Sequence, residues 1–225
     1  MVSVRERAET VRRHPSAILL AAQLVAVLAY PFLDQAAWGR AVVGTVQLAI
    51  VLAALAAVRP TPALTWVAAL IGAPAMVLTI LEATHPGSDP VVLVSAFLHA
   101  PFYFYISYAM IRYLFHDERV TRDELFATGA AFTVVAWGFA YVFAACQAVW
   151  PGSFVGAGGG GDRNWFELLY LSFSTLTSVG LSDVVPIEGH ARSFVMVEMI
   201  AGVFYVALVV ARLVSLAVVS RRPEA

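Results

Sequence analysis

Six apolar runs, each close to the length that crosses a lipid bilayer, set what this chain can fold into: 16–32, 41–58, 63–81, 91–115, 125–150 and 193–219. An α-helix rises about 1.5 Å per residue, so roughly 20 residues span a hydrocarbon core about 30 Å thick. Short polar segments separate the runs at 34–40, 59–62, 84–90 and 116–124, the third carrying Pro86, Gly87 and Pro90. The chain is 60% hydrophobic and 13% charged, whereas a soluble domain carries roughly 25% charged residues. The pattern predicts an all-α membrane protein of six transmembrane helices and excludes a soluble enzyme. A net charge of −1 gives no basic face for nucleic acid, so the expected partners are the lipid bilayer and whatever crosses it.

Arginine placement orients the runs, because positive side chains are retained on the cytoplasmic side. With the N-terminus inside, the inner segments hold Arg5, Arg7, Arg12, Arg13, Arg59, Arg112, Arg119, Arg122, Arg212, Arg221 and Arg222. The outer ones hold only Arg40, Arg163 and Arg192. Both termini are therefore expected in the cytoplasm, with the chain multi-pass in the plasma (inner) membrane. Cys146 lies in an apolar run and reads as a small buried hydrophobe.

The segment 151–192 departs from the pattern. A glycine tract at 156–161, interrupted by Ala157, leads through Asp162, Arg163 and Asn164 into a half-apolar stretch at 165–177. That stretch is about 13 residues long, too short to cross. Between two spans it reads as re-entrant, and irregular backbone at membrane depth survives only where it is buried in protein or lines a watery cavity. The next residues are Thr177, Ser178, Val179, Gly180, Leu181, Ser182 and Asp183. Carbonyls turned to one side of such a run, repeated around an axis, replace the water shell of a cation. One loop per chain requires several chains for a closed ring.

Residues 174–183, Ser-Thr-Leu-Thr-Ser-Val-Gly-Leu-Ser-Asp, resemble the pore signature of tetrameric potassium channels, T-x-x-T-T-V-G-Y-G-D. Thr177, Val179, Gly180 and Asp183 agree, and Ser178 replaces a threonine. Leu181 stands where that family has tyrosine, and Ser182 where it has its second glycine. The last run, from Glu198 through Leu213, is similar to the pore-lining inner helix of bacterial members. The single-glycine pore loops of Trk- and Ktr-type potassium transporters are similar too, although those chains carry four loops and this one carries one.

The resemblance covers 125–219 and implies a homotetramer. It further implies a cytoplasmic segment at 1–15, a four-helix peripheral unit at 16–116 and a pore unit at 124–220. The pore helix and filter would lie between the fifth and sixth helices. K+, or K+ together with Na+, would be held by backbone oxygens of Thr177, Ser178, Val179 and Gly180, with no cofactor beyond the permeant monovalent cation. The peripheral unit occupies the position of a voltage sensor but has no arginine in its fourth run before Arg112, so it lacks the charge array that steep voltage gating moves.

The departures carry their own expectations. The second glycine of the signature adopts a left-handed backbone, which for Ser182 would cost about 1–2 kcal/mol. Leu181 has no hydroxyl to tie the filter to the pore helix. Both predict fewer ion sites and weaker discrimination of K+ from Na+.

Asp183 is expected to be braced from the pore helix by Tyr170 or Trp165, with Ser174 among the bracing positions. Gly202 is either a gating hinge or a close-packing glycine. Glu198, one turn earlier, either tunes the filter from behind or is a hydrogen-bonded acid between helices. His99 is expected in an interhelical hydrogen bond rather than on a metal, and Glu188 and His190 are expected outside. A non-selective monovalent cation channel and a non-conducting scaffold or regulatory subunit with a pore-like fold stand as alternatives to the K+ channel. No intramembrane His pair, Asp pair or Ser-Lys constellation points to an enzyme.

Overall fold

In lipid each backbone N–H and C=O must be satisfied within its own segment, which turns the apolar runs into helices. The computed structural model describes residues 15–33, 44–46, 62–84, 89–114, 122–159 and 161–219. Within them lie α1 (Pro15–Leu33), α2 (Pro62–Thr84), α3 (Asp89–Leu114), α4 (Arg122–Val149), α5 (Trp165–Leu176) and α6 (Gly189–Val219). Two short strands, β1 (Phe154–Val155) and β2 (Val185–Pro186), flank α5.

Helices α1, α3, α4 and α6 are each long and apolar enough to cross a membrane, which makes this a multi-pass helical membrane protein. Helix α2 has 23 residues. The expected second run, 41–58, lies outside the described residues apart from 44–46, as do the segments 1–14 and 220–225.

Side-chain contacts give the helix directions. Helix α1 runs parallel to α4. Ser16 donates from its backbone N (3.0 Å) and its Oγ (2.8 Å) to the Asp123 carboxylate, and Gln23 Nε2 donates to the Ala130 carbonyl at 3.3 Å. Asp123 thereby satisfies a first-turn N–H of α1 that has no partner within its own helix. Helices α2 and α3 are antiparallel, with Thr79 beside His99 and Glu82 beside Ser95.

Helices α3 and α4 are antiparallel as well, His99 lying on Tyr141 at 4.4 Å and Tyr103 meeting Trp137 edge-on at 5.8 Å. Tyr205 of α6 donates to the Thr128 carbonyl of α4 at 2.6 Å, while Glu198 and Ala136 meet through Ser172, so those two helices are antiparallel. Followed through these pairings, Leu33 and Pro62 lie at opposite ends of the bundle.

Helix α4 is the centre of the packing. Ala130, Ala131, Val134, Ala136, Trp137, Ala140 and Phe143 are buried, and the alanines let neighbouring helices approach closely. Helix α6 is the converse, exposing Met196, Val197, Ile200, Val203, Phe204 and Val206. Beside α5, the chain leaves and returns through a two-residue antiparallel ladder that pairs Phe154 with Pro186 and Val155 with Val185. A bond from Ile187 N to the Ser153 carbonyl at 3.0 Å extends it. The re-entrant excursion is thus pinned at its base.

Candidate functional site

Helix α5 starts where its sequence dictates. Asn164 caps it, with Oδ1 accepting from Glu167 N at 2.9 Å while Glu167 Oε2 accepts from Asn164 N at 2.8 Å. This reciprocal arrangement satisfies two backbone donors at once. The preceding residue, Arg163, is buried. Its backbone N donates to Gln147 Oε1 at 3.0 Å, and its carbonyl accepts from Gln147 Nε2 at 2.7 Å. Its Nη2 donates to the carbonyls of Gly159 (3.0 Å) and Gly161 (2.8 Å). The start of α5 is therefore bolted to the end of α4 and to the glycine tract. Gln147 was not singled out from sequence; its one signal there is a polar side chain in the last turn of an apolar run.

Aromatic rings complete this end. Trp165 lies between Tyr30 of α1 and Tyr141 of α4, each at 5.6 Å, and Tyr30 stacks on Phe166 at 4.7 Å. The Trp165 indole N–H is buried with no hydrogen-bond partner among the described residues. Trp165 thus packs α5 sideways and does not tie down the run that follows it.

That run folds back onto the last turn of α5. Ser178 N donates to the Thr175 carbonyl at 2.9 Å, and Val179 N and Gly180 N both donate to the Ser174 carbonyl at 3.1 Å. Ser178 (φ 59°) and Gly180 (φ 71°) adopt left-handed backbone, whereas Val179 between them does not. Alternating handedness turns successive amides to one side and successive carbonyls to the other. The amides here converge on α5. Among the described residues, no donor engages the carbonyls of Thr177, Ser178, Val179 or Gly180. Ser178 holds its conformation at a cost of about 1–2 kcal/mol, offset by the bond its N–H makes to Thr175.

The outer half of the run departs from expectation in three ways. Ser182 is not left-handed; its N donates to Ser174 Oγ at 3.0 Å and its own Oγ accepts from Val184 N at 3.0 Å. Tyr170 does brace the run, but through the Leu181 carbonyl at 2.9 Å rather than through Asp183. Asp183 is exposed, with no side-chain hydrogen bond among the described residues. With the Leu181 carbonyl taken, four consecutive unengaged oxygens remain, those of 177 to 180.

Behind the run, Ser172 Oγ bonds both the Ala136 carbonyl of α4, at 2.8 Å, and Glu198 Oε1 of α6. One hydroxyl thereby joins three helices, with Glu198 fully buried. One turn further along α6, a Cβ placed on Gly202 would lie 2.1 Å from the Leu176 carbonyl oxygen. This contact gives Gly202 a packing role. His190, at the start of α6, stacks on Trp150 at 4.1 Å, and Glu188 is exposed beside it.

Comparison with known proteins adds one finding. Residues 129–219 match a family model described as Ion channel; the match covers less than half of the chain and includes α5, the run after it and α6. No curated protein and no solved structure matches.

Proposed function

We propose, from the match of residues 129–219 to an ion-channel family model, that the protein is a passive K+ channel in which four copies place their filters around one axis. The observation that carries this reading is the division of the backbone at 177–180. Its amides are spent on the carbonyls of Phe173, Ser174 and Thr175, and its own carbonyls are left unengaged. Oxygens fixed in this way replace a cation's hydration shell without collapsing onto the protein's own donors. The exposed apolar face of α6 supplies surface for lipid and for neighbouring copies.

Conduction in this reading needs no cofactor and no covalent step. The opposite placement of Leu33 and Pro62 supports a further crossing between them, hence six spans in the plasma membrane with both termini in the cytoplasm, as the arginine distribution requires.

Non-selective passage of K+ and Na+ is the second reading, and a specific observation favours it. Selectivity grows with the number of ordered oxygen sites, and here the Leu181 carbonyl is committed to Tyr170 and Ser182 is turned toward Ser174. Purified protein in vesicles is expected to carry K+ down its gradient. An assembled tetramer that passes neither K+ nor Na+ would refute conduction and leave the scaffold reading. Reversal potentials in mixed K+ and Na+ separate the two channel readings. Leu181→Tyr combined with Ser182→Gly is expected to raise the preference for K+, because glycine admits the left-handed backbone that frees an outer carbonyl. A permeability ratio unmoved by the double change overturns this account of the filter.

A further inference from the structure

A second polar cluster lies outside the pore helix, within the peripheral helices. His99 of α3 is buried. Its Nδ1 is 2.8 Å from the Ser95 carbonyl and 3.1 Å from Ser95 Oγ, and its Nε2 is 3.0 Å from Thr79 Oγ1 of α2. Thr79 Oγ1 also reaches the Ala75 carbonyl at 3.0 Å, and Ser95 Oγ donates to Glu82 Oε2 at 2.8 Å. Gly44 lies against the Thr79 methyl, since a Cβ there would lie 2.3 Å from Thr79 Cγ2.

Counting hydrogens shows what the cluster can do. A carbonyl cannot donate, so Nδ1 carries a hydrogen toward Ser95. The Thr79 hydroxyl has a single hydrogen and two acceptors in reach. When it turns to Nε2, the imidazole is neutral. When it turns to the Ala75 carbonyl, its oxygen is left to accept, and Nε2 must itself carry a hydrogen. Every polar atom is satisfied in both arrangements, and the only difference between them is one added proton and one rotated hydroxyl. Glu82, reached through Ser95, supplies the compensating charge.

We infer that His99, Thr79, Ser95 and Glu82 form a proton-binding site in the peripheral helices, and that its occupancy is transmitted to the start of the pore helix. The route is a stack of rings. His99 lies flat on Tyr141 of α4, with centroids 4.4 Å apart and planes 10° apart, so a protonated ring gains a cation–π attraction that a neutral one lacks. Tyr141 abuts Trp165, the first residue of α5, and Tyr30 holds Trp165 from α1. Among the described residues, the titratable groups facing His99 are Glu82 from α2, Tyr103 on its own helix at 6.1 Å and Tyr141 from α4, with Tyr30 of α1 one ring further. Glu82 is the one carboxyl among them. The proton site stands on this geometry alone; its effect on ion flow rests on the conduction reading.

The test uses the full chain in lipid vesicles with ring-labelled histidine, followed by solid-state NMR between about pH 8 and pH 3. One imidazole is expected to pass reversibly from the Nδ1–H form to the doubly protonated form, with that signal absent from His99→Gln. Glu82→Gln, which keeps the bond to Ser95, is expected to weaken proton binding about tenfold or more. A His99 ring that never takes the second proton, or a titration indifferent to Glu82→Gln, overturns the site.

In the same vesicles, K+ flux is expected to follow the His99 titration in the unmodified chain and to lose that dependence in His99→Gln. Flux blind to pH while His99 titrates overturns the transmission. Vesicles that pass no cation at any pH refute the conduction reading and the transmission with it, while the NMR titration still decides the proton site.

Discussion

Gly202→Ala is expected to destabilise the assembled protein by about 2 kcal/mol or more. In an open helix the same change stabilises, because glycine is about 1 kcal/mol worse than alanine as a helix former. Here the contact decides the sign. The added methyl would sit 2.1 Å from the Leu176 carbonyl oxygen and 2.9 Å from its carbon, and both are backbone atoms at the end of a helix that cannot swing aside. Helix α6 must lift off α5, which also pulls Glu198 from Ser172 one turn away. Denaturant unfolding in detergent, read by helix signal, measures the loss. A variant as stable as the parent would show that α5 and α6 do not approach this closely.

Gly180→Val is expected to act in the opposite sense, leaving the fold nearly intact and removing ion flux. Nothing lies within 4 Å of a Cβ placed on Gly180, so the chain has room for the side chain. The backbone does not tolerate it equally well. At φ 71°, a β-branched residue pays at least the usual left-handed penalty of about 1–2 kcal/mol, and relief comes by turning the peptide out of the alternating pattern. The carbonyls of Val179 and Gly180 then no longer face the same way as those of Thr177 and Ser178. Vesicle flux should fall to that of protein-free vesicles while the purified protein elutes unchanged. Undiminished flux would place the conduction path elsewhere.

The bundle was legible in the sequence because lipid leaves few choices: an apolar run of the right length becomes a helix whatever its detailed order. Helix α5 was legible from its shortness and its place between two apolar helices, and the run at 177–180 as the non-helical segment that follows it. What escaped were contacts whose partners are remote or ambiguous in the chain. Gln147 and Arg163 are 16 residues apart, and their pairing depends on a glycine tract doubling back over the end of α4.

Tyr170 was recognisable as a donor, but a hydroxyl finds a backbone carbonyl as readily as a carboxylate, and it binds Leu181 instead of Asp183. Ser182 was expected in a left-handed state by analogy with glycine; a serine at that position escapes the penalty by bonding to Ser174. For Gly202 the alternatives of hinge and packing could not be separated without knowing that Leu176 lies against it. The lean of α1 on α5, through Tyr30, had no sequence signal.

That lean bears on biogenesis. Tyr30 rests on Trp165 and Phe166 of the same chain, and Asp123 holds Ser16 at the opposite end, so a nascent copy clamps its first helix to its own fifth element without borrowing a neighbour's. The first helix is thus seated by contacts made within one chain.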